Sequence, residues 1–143
     1  MTATSAPSKP LTNRRSSTVL TVGAGVIVTI AAATIDAYSA IAAGADASFA
    51  PLTPAVYAPF AALGVIAAYI GWTIIRRRAS RPARVLRVLV PVLGVLSFVP
   101  DVILAMTGFI PGASLTGVVA LAIMHVIVIG VAVPVCLRLA PLK

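Results

Sequence analysis

Apolar and polar positions along this chain fall into long blocks rather than alternating. Four apolar blocks stand out, from about Thr18 to Ala43, Pro54 to Ile75, Val85 to Thr107 and Ala113 to Leu137. A helix needs about 20 mostly apolar residues, rising 1.5 Å each, to cross a hydrocarbon core of about 30 Å. Lipid offers no partner to backbone N–H and C=O groups, so a spanning segment is helical or part of a closed barrel. Barrel strands alternate in polarity over about ten residues, and these blocks do not. The pattern predicts an all-α fold, a four-transmembrane-helix bundle over residues 18–139.

The breaks between blocks carry turn chemistry. Residues 44–53 hold Gly44, Asp46, Ser48 and Pro51, and Gly108, Pro111 and Gly112 mark a second short turn. Residues 76–82 form a charged connector. Residues 1–17 are rich in Ser, Thr and Pro without apolar periodicity, the composition of a disordered tail. Residues 140–143 are left as a short tail.

Composition agrees with a lipid solvent. The chain of 143 residues is 60% hydrophobic and 10% charged, with a mean hydropathy of +1.10, whereas soluble domains carry about 25% charged residues. A net charge of +8 would suggest nucleic acid if the basic residues shared a soluble face. Here long apolar blocks separate them, so no nucleic acid is expected, and membrane topology accounts for their placement.

Lys9, Arg14 and Arg15 precede the first block. Arg76, Arg77, Arg78, Arg81, Arg84 and Arg87 lie between the second and third or open the third, and Arg138 and Lys143 follow the fourth. With four spans, every basic residue falls on one side. The positive-inside rule then places the N- and C-termini in the cytoplasm, with short outside loops. The arginine connector sets topology and can touch anionic lipid headgroups at the surface. Arg14-Arg15 before an apolar run ending in Ala40-Ile41-Ala42 resembles a secretory signal, but such cores run about 7–15 residues. This run is longer, and it is expected to stay as a span.

Candidate chemistry is confined to a few polar residues in the spans. Asp46 is expected to be solvated in an outside loop, but Asp36 and Asp101 lie in apolar blocks, where a charge costs at least about 2.5–3.5 kcal/mol. Residues three, four and seven away share a helix face. Around Asp36 these include Thr29, Ala33 and Ala40, and around Asp101 they include Gly94, Ser97 and Ala105. Tyr57, Ala61, Gly64, Ala68 and Gly71 form a similar small-residue stripe, the kind that lets membrane helices approach closely. By helical rise, Asp36 and Asp101 lie roughly 10 and 9 Å below the outer face and His125 roughly 18 Å below it. Asp36, Asp101, His125, Tyr57 and Ser97 are therefore the candidate intramembrane polar site. A direct Asp–His bond would need one helix to slide or tilt. At least one carboxyl is expected to be neutral and hydrogen-bonded, to Ser39, Ser97, Tyr38, Tyr57 or His125. Pro100 removes a backbone bond beside Asp101 and should kink the third span, freeing the Leu96 carbonyl.

No GxSxG, HExxH, Walker or dinucleotide motif occurs, so no enzyme, metal or cofactor is expected. The lone Cys136 excludes an internal disulfide. Two functions fit the pattern. One is a structural or accessory interaction protein, packing as a homo-oligomer or in a larger membrane complex. The other is a small proton- or cation-coupled carrier or channel using Asp36, Asp101 and His125.

The order of motifs in the second half adds a resemblance. It runs Arg81-Pro82-Ala83-Arg84-Val85-Leu86-Arg87, then Leu96-Ser97-Phe98-Val99-Pro100, then Leu121-Ala122-Ile123-Met124-His125 and Val133-Pro134. It resembles a family of small four-span actinobacterial membrane proteins, domain of unknown function 6069, over about Thr18 to Leu139. The resemblance implies a four-helix bundle in a bacterial plasma membrane and no particular activity.

Overall fold

The structure, a computed structural model, describes residues 11–142. Its elements are helices α1 (Leu11–Ala42), α2 (Pro54–Arg78), α3 (Pro82–Ser97), α4 (Val99–Thr107) and α5 (Leu115–Leu139), with a 3₁₀ turn at Ala50–Leu52. No strand occurs among the described residues. Four stretches are long and apolar enough to cross a membrane: Arg15–Ala42, Pro54–Arg78, Pro82–Thr107 and Leu115–Leu139. The third of these combines α3 and α4.

Most helices outrun their apolar blocks. Helix α1 starts at Leu11, so residues 11–17 of the expected tail are helical; residues 1–10 and 143 lie outside the described residues. No Gly or Pro interrupts residues 11–17, and propagating a helix is easier than nucleating one. Helix α2 likewise runs through Arg78, and Pro82 opens α3 at its first position, where its missing N–H costs nothing. Only residues 79–81 separate α2 from α3. At the fourth span the cap decides the start: Ser114 Oγ accepts from the Gly117 N–H at 3.1 Å, so α5 begins at Leu115 rather than Ala113.

Helices α1 and α4 both close on glycine. Gly44, at φ +98, donates to Ile41 O at 3.0 Å while the Ala45 N–H reaches Ala40 O at 2.9 Å. These are the paired bonds of a Schellman stop. Gly108, at φ +59, ends α4 by donating to Leu104 O at 2.8 Å.

The expected kink at Pro100 is a break. The chain leaves helix at Phe98, whose amide turns back onto Leu96 O and Val95 O, and α4 resumes at Val99. The Leu96 carbonyl that Pro100 cannot bond thus faces the Phe98 N–H, two residues before the proline. Pro59, Pro91 and Pro134 sit inside continuous helices.

The tightest packing joins α1, α2 and α5, while α3 lies against α2 and α5 more loosely. Two buried clusters close the ends of the bundle. One gathers Phe49, Leu52, Tyr57, Leu104, Val118 and Met124, with fully buried Phe49 folded in from the α1–α2 loop. The other gathers Trp72, Leu86, Cys136 and Ala140 and is tied by the Trp72 indole N–H donating to Ala140 O at 2.9 Å. Large apolar side chains such as Ile27, Ile35 and Phe60 are each 69% exposed, as a bundle solvated by lipid requires.

Candidate functional site

Among the described residues one acid–base pair forms inside the bundle, just past the interruption at Phe98. The helix restarts at Val99, so Asp101 occupies the first turn of α4, where the helix dipole favours negative charge. Asp101 is buried at 6% exposure. From α5, His125 brings Nδ1 to 3.2 Å from Asp101 Oδ2. The same nitrogen lies 2.8 Å from Leu121 O. A carbonyl oxygen only accepts, so Nδ1 carries the proton and donates it to Leu121. Asp101 Oδ2 is left in electrostatic contact but without a well-aligned hydrogen bond. Phe98 packs on the imidazole with ring centroids 5.8 Å apart and planes tilted by 55°.

The depth mismatch expected between Asp101 and His125 does not keep the two apart: α4, which starts after the interruption at Phe98, packs on α5. The other expected members do not join the pair. Asp36 is half-buried, and its Oδ2 has no hydrogen-bond partner; among the described residues no bond links it to Asp101 or His125. Ser97 Oγ donates to Gly94 O at 2.6 Å, and Ser39 Oγ to Ile35 O at 2.7 Å. Tyr38 is 64% exposed. Tyr57 meets Thr34, with its hydroxyl 2.8 Å from Thr34 Oγ1. The Thr34 hydroxyl itself donates to Ile30 O at 2.8 Å, so Tyr57 is the donor between the two. Thr34 is the site residue that spacing did not single out, whereas Phe98, three positions before Asp101, shares its helix face without belonging to the small-residue stripe. The available signal was a Thr two positions before Asp36.

Between the two end clusters, α2, α3 and α5 enclose an apolar cleft of ≈ 680 Å³. Its lining includes Tyr57, Ser97 and His125 toward one end and Trp72 and Cys136 toward the other. Exposed Phe60, Ala67, Ala68 and Leu93 mark where it opens sideways, between α2 and α3. The stripe expected to pack α2 against a neighbour does so only in part. Gly64, Ala68 and Gly71 line the cleft; a Cβ at Gly64 would meet Val128 Cγ1 at 2.8 Å, whereas nothing lies within 4 Å at Gly71.

The described arginines gather at the Trp72 end. Arg77, Arg78, Arg81, Arg84 and Arg87 are exposed and Arg76 is half-buried; Ser80, Arg81, Pro82, Arg84 and Arg87 edge a shallow surface groove. Asp46 lies in the loop at the opposite end. It accepts from the Ser48 N–H at 2.8 Å and the Ser48 hydroxyl at 2.7 Å, and these bonds, the backbone one foremost, hold its carboxyl below the ordinary value.

No match was found among curated proteins or among solved structures. One family profile, described as a family of unknown function (DUF6069), matches residues 11–141. That match spans most of the chain, which therefore belongs to this family of unknown function, DUF6069.

Proposed function

We propose that this chain is an accessory binding protein of the plasma membrane, with both ends in the cytoplasm, that receives an apolar guest sideways from the bilayer. The observation that carries this is the cleft itself. It runs between the two buried clusters, lined by Tyr57 and Met124 of one and Trp72, Leu86 and Cys136 of the other, with exposed Phe60 and Leu93 along its side between α2 and α3. Its ≈ 680 Å³ volume falls in the range of about 300–1,000 Å³ that ligand sites occupy. The orientation rests on the arginines, which share one end of the bundle; at that end they also suit anionic headgroups.

The His125–Asp101 contact supports a second reading, a proton- or cation-coupled carrier. Asp36, the third group such a carrier would use, makes no bond to the pair among the described residues.

A lipid carrying a diazirine in mid-chain tests the guest reading in reconstituted vesicles. On irradiation and peptide mapping, half-buried Leu89 and Val128 in the cleft should label more heavily than Ile27, which is 69% exposed on an outer face. Labelling that simply follows exposure, with Ile27 ahead, would contradict a guest in the cleft.

A further inference from the structure

We infer that the guest is a lipophile bearing a hydrogen-bond donor, of the class of long-chain alcohols or phenols, whose O–H bonds to His125 Nε2. The inference rests on the cleft being a guest site, and it comes from counting donors on the cleft wall.

Four side chains there carry strong N–H or O–H donors, and each donates inward. Tyr57 gives its hydroxyl proton to Thr34, and Ser97 gives its own to Gly94 O. The Trp72 indole donates to Ala140 O, and His125 Nδ1 to Leu121 O. Cys136 adds only a weak S–H donor, far from the His125 end. What remains on the wall is lone pairs, on Tyr57 Oη, Ser97 Oγ and His125 Nε2. Of these, Nε2 makes no hydrogen bond among the described residues and is not among the occluded polar atoms. In the neutral ring, with Nδ1 protonated, it is an acceptor.

A guest with an O–H therefore satisfies the site, while one offering only acceptors, an ether or a carboxylate, leaves lone pairs facing lone pairs. Phe98 and the Leu121 and Asp101 oxygens hold the imidazole in this tautomer and orientation. The cleft then runs down α2 from Tyr57 to Trp72, roughly 22 Å of helical rise, which suits an alkyl tail.

Trp72, the sole tryptophan, lines the cleft and serves as its reporter. Purified full-length protein in nanodiscs, held well above the ordinary histidine range, is titrated with a mid-chain dibrominated sixteen-carbon alcohol, its methyl ether and the matching carboxylate. Bromine quenching of Trp72 should half-saturate at about fivefold lower concentration for the alcohol than for the ether, the effect of one hydrogen bond of about 1 kcal/mol. His125→Leu, checked for a single monodisperse peak, should bring the alcohol to the ether's value. Equal, saturable quenching by alcohol and ether would overturn the donor inference and leave the guest site standing. Tighter binding of the carboxylate would overturn it as well. Quenching that rises linearly with every probe would overturn both.

Discussion

Replacing Gly25 by Leu is expected to destabilise the bundle by about 3 kcal/mol, the upper end of what overpacking costs. Gly25 is buried where α1 meets α2 and α5. A Cβ there would lie 2.9 Å from Val135 Cγ2 and 3.7 Å from both Val131 Cγ1 and Val65 Cγ1. Valine has little χ1 freedom with which to yield, so three helices must separate to admit a larger side chain. The Thr29 hydroxyl, which donates to Gly25 O at 2.8 Å, would be displaced with them. Gly23, two residues earlier on α1, has nothing within 4 Å of its would-be Cβ, and Gly23→Leu should be nearly neutral. Unfolding titrations in mixed detergent micelles compare the two. Equal losses would mean that α1 does not pack on α5 as described.

His125→Leu should cost about 2 kcal/mol, somewhat beyond the largest polar couplings measured between membrane helices. Among the described residues, the nitrogen 3.2 Å away is the one polar side-chain contact of the buried Asp101 Oδ2, and a buried polar group without a partner is the costly case. The double variant Asp101→Leu/His125→Leu needs no partner at all and should recover most of the loss. Strictly additive losses in the same titration would mean the two groups do not interact. The double variant also separates the two functional readings. A carrier built on the pair would lose proton flux in dye-loaded liposomes, whereas an accessory binding protein has no such flux to lose.

The helices were legible because apolar length and turn chemistry are local properties. Gly44 and Gly108 mark ends that the sequence states outright, whereas the Ser114 cap moves the start of α5 past the expected Ala113. Of the prolines inside the spans, Pro100 alone follows an interruption, while Pro59, Pro91 and Pro134 do not. How far Pro100 bends the chain was not legible, because that depends on what α5 offers the restarted helix. The depth estimates set His125 well below Asp101, since they assumed straight spans; the break at Phe98 removes that assumption. Small residues misled in a different way. Tyr57, Ala61, Gly64, Ala68 and Gly71 show that a helix is able to come close, but whether one does is decided by α3, which diverges and leaves a cleft. Polar partners were the least legible. Ser39, Ser97 and Thr34 each donate to a carbonyl within their own helix, a choice always open to a membrane Ser or Thr and invisible to face-sharing arguments.

The account depends most on four spans with the arginine end inside, because the cleft faces lipid only if the helices cross. In a Cys136→Ala background, Ala47→Cys places a thiol in the exposed α1–α2 loop and Ser80→Cys places one in the exposed α2–α3 connector. A membrane-impermeant maleimide applied to intact cells should label Ala47→Cys at once and Ser80→Cys only after permeabilisation. Labelling of Ser80→Cys in intact cells, or of both positions from the same side, would contradict it.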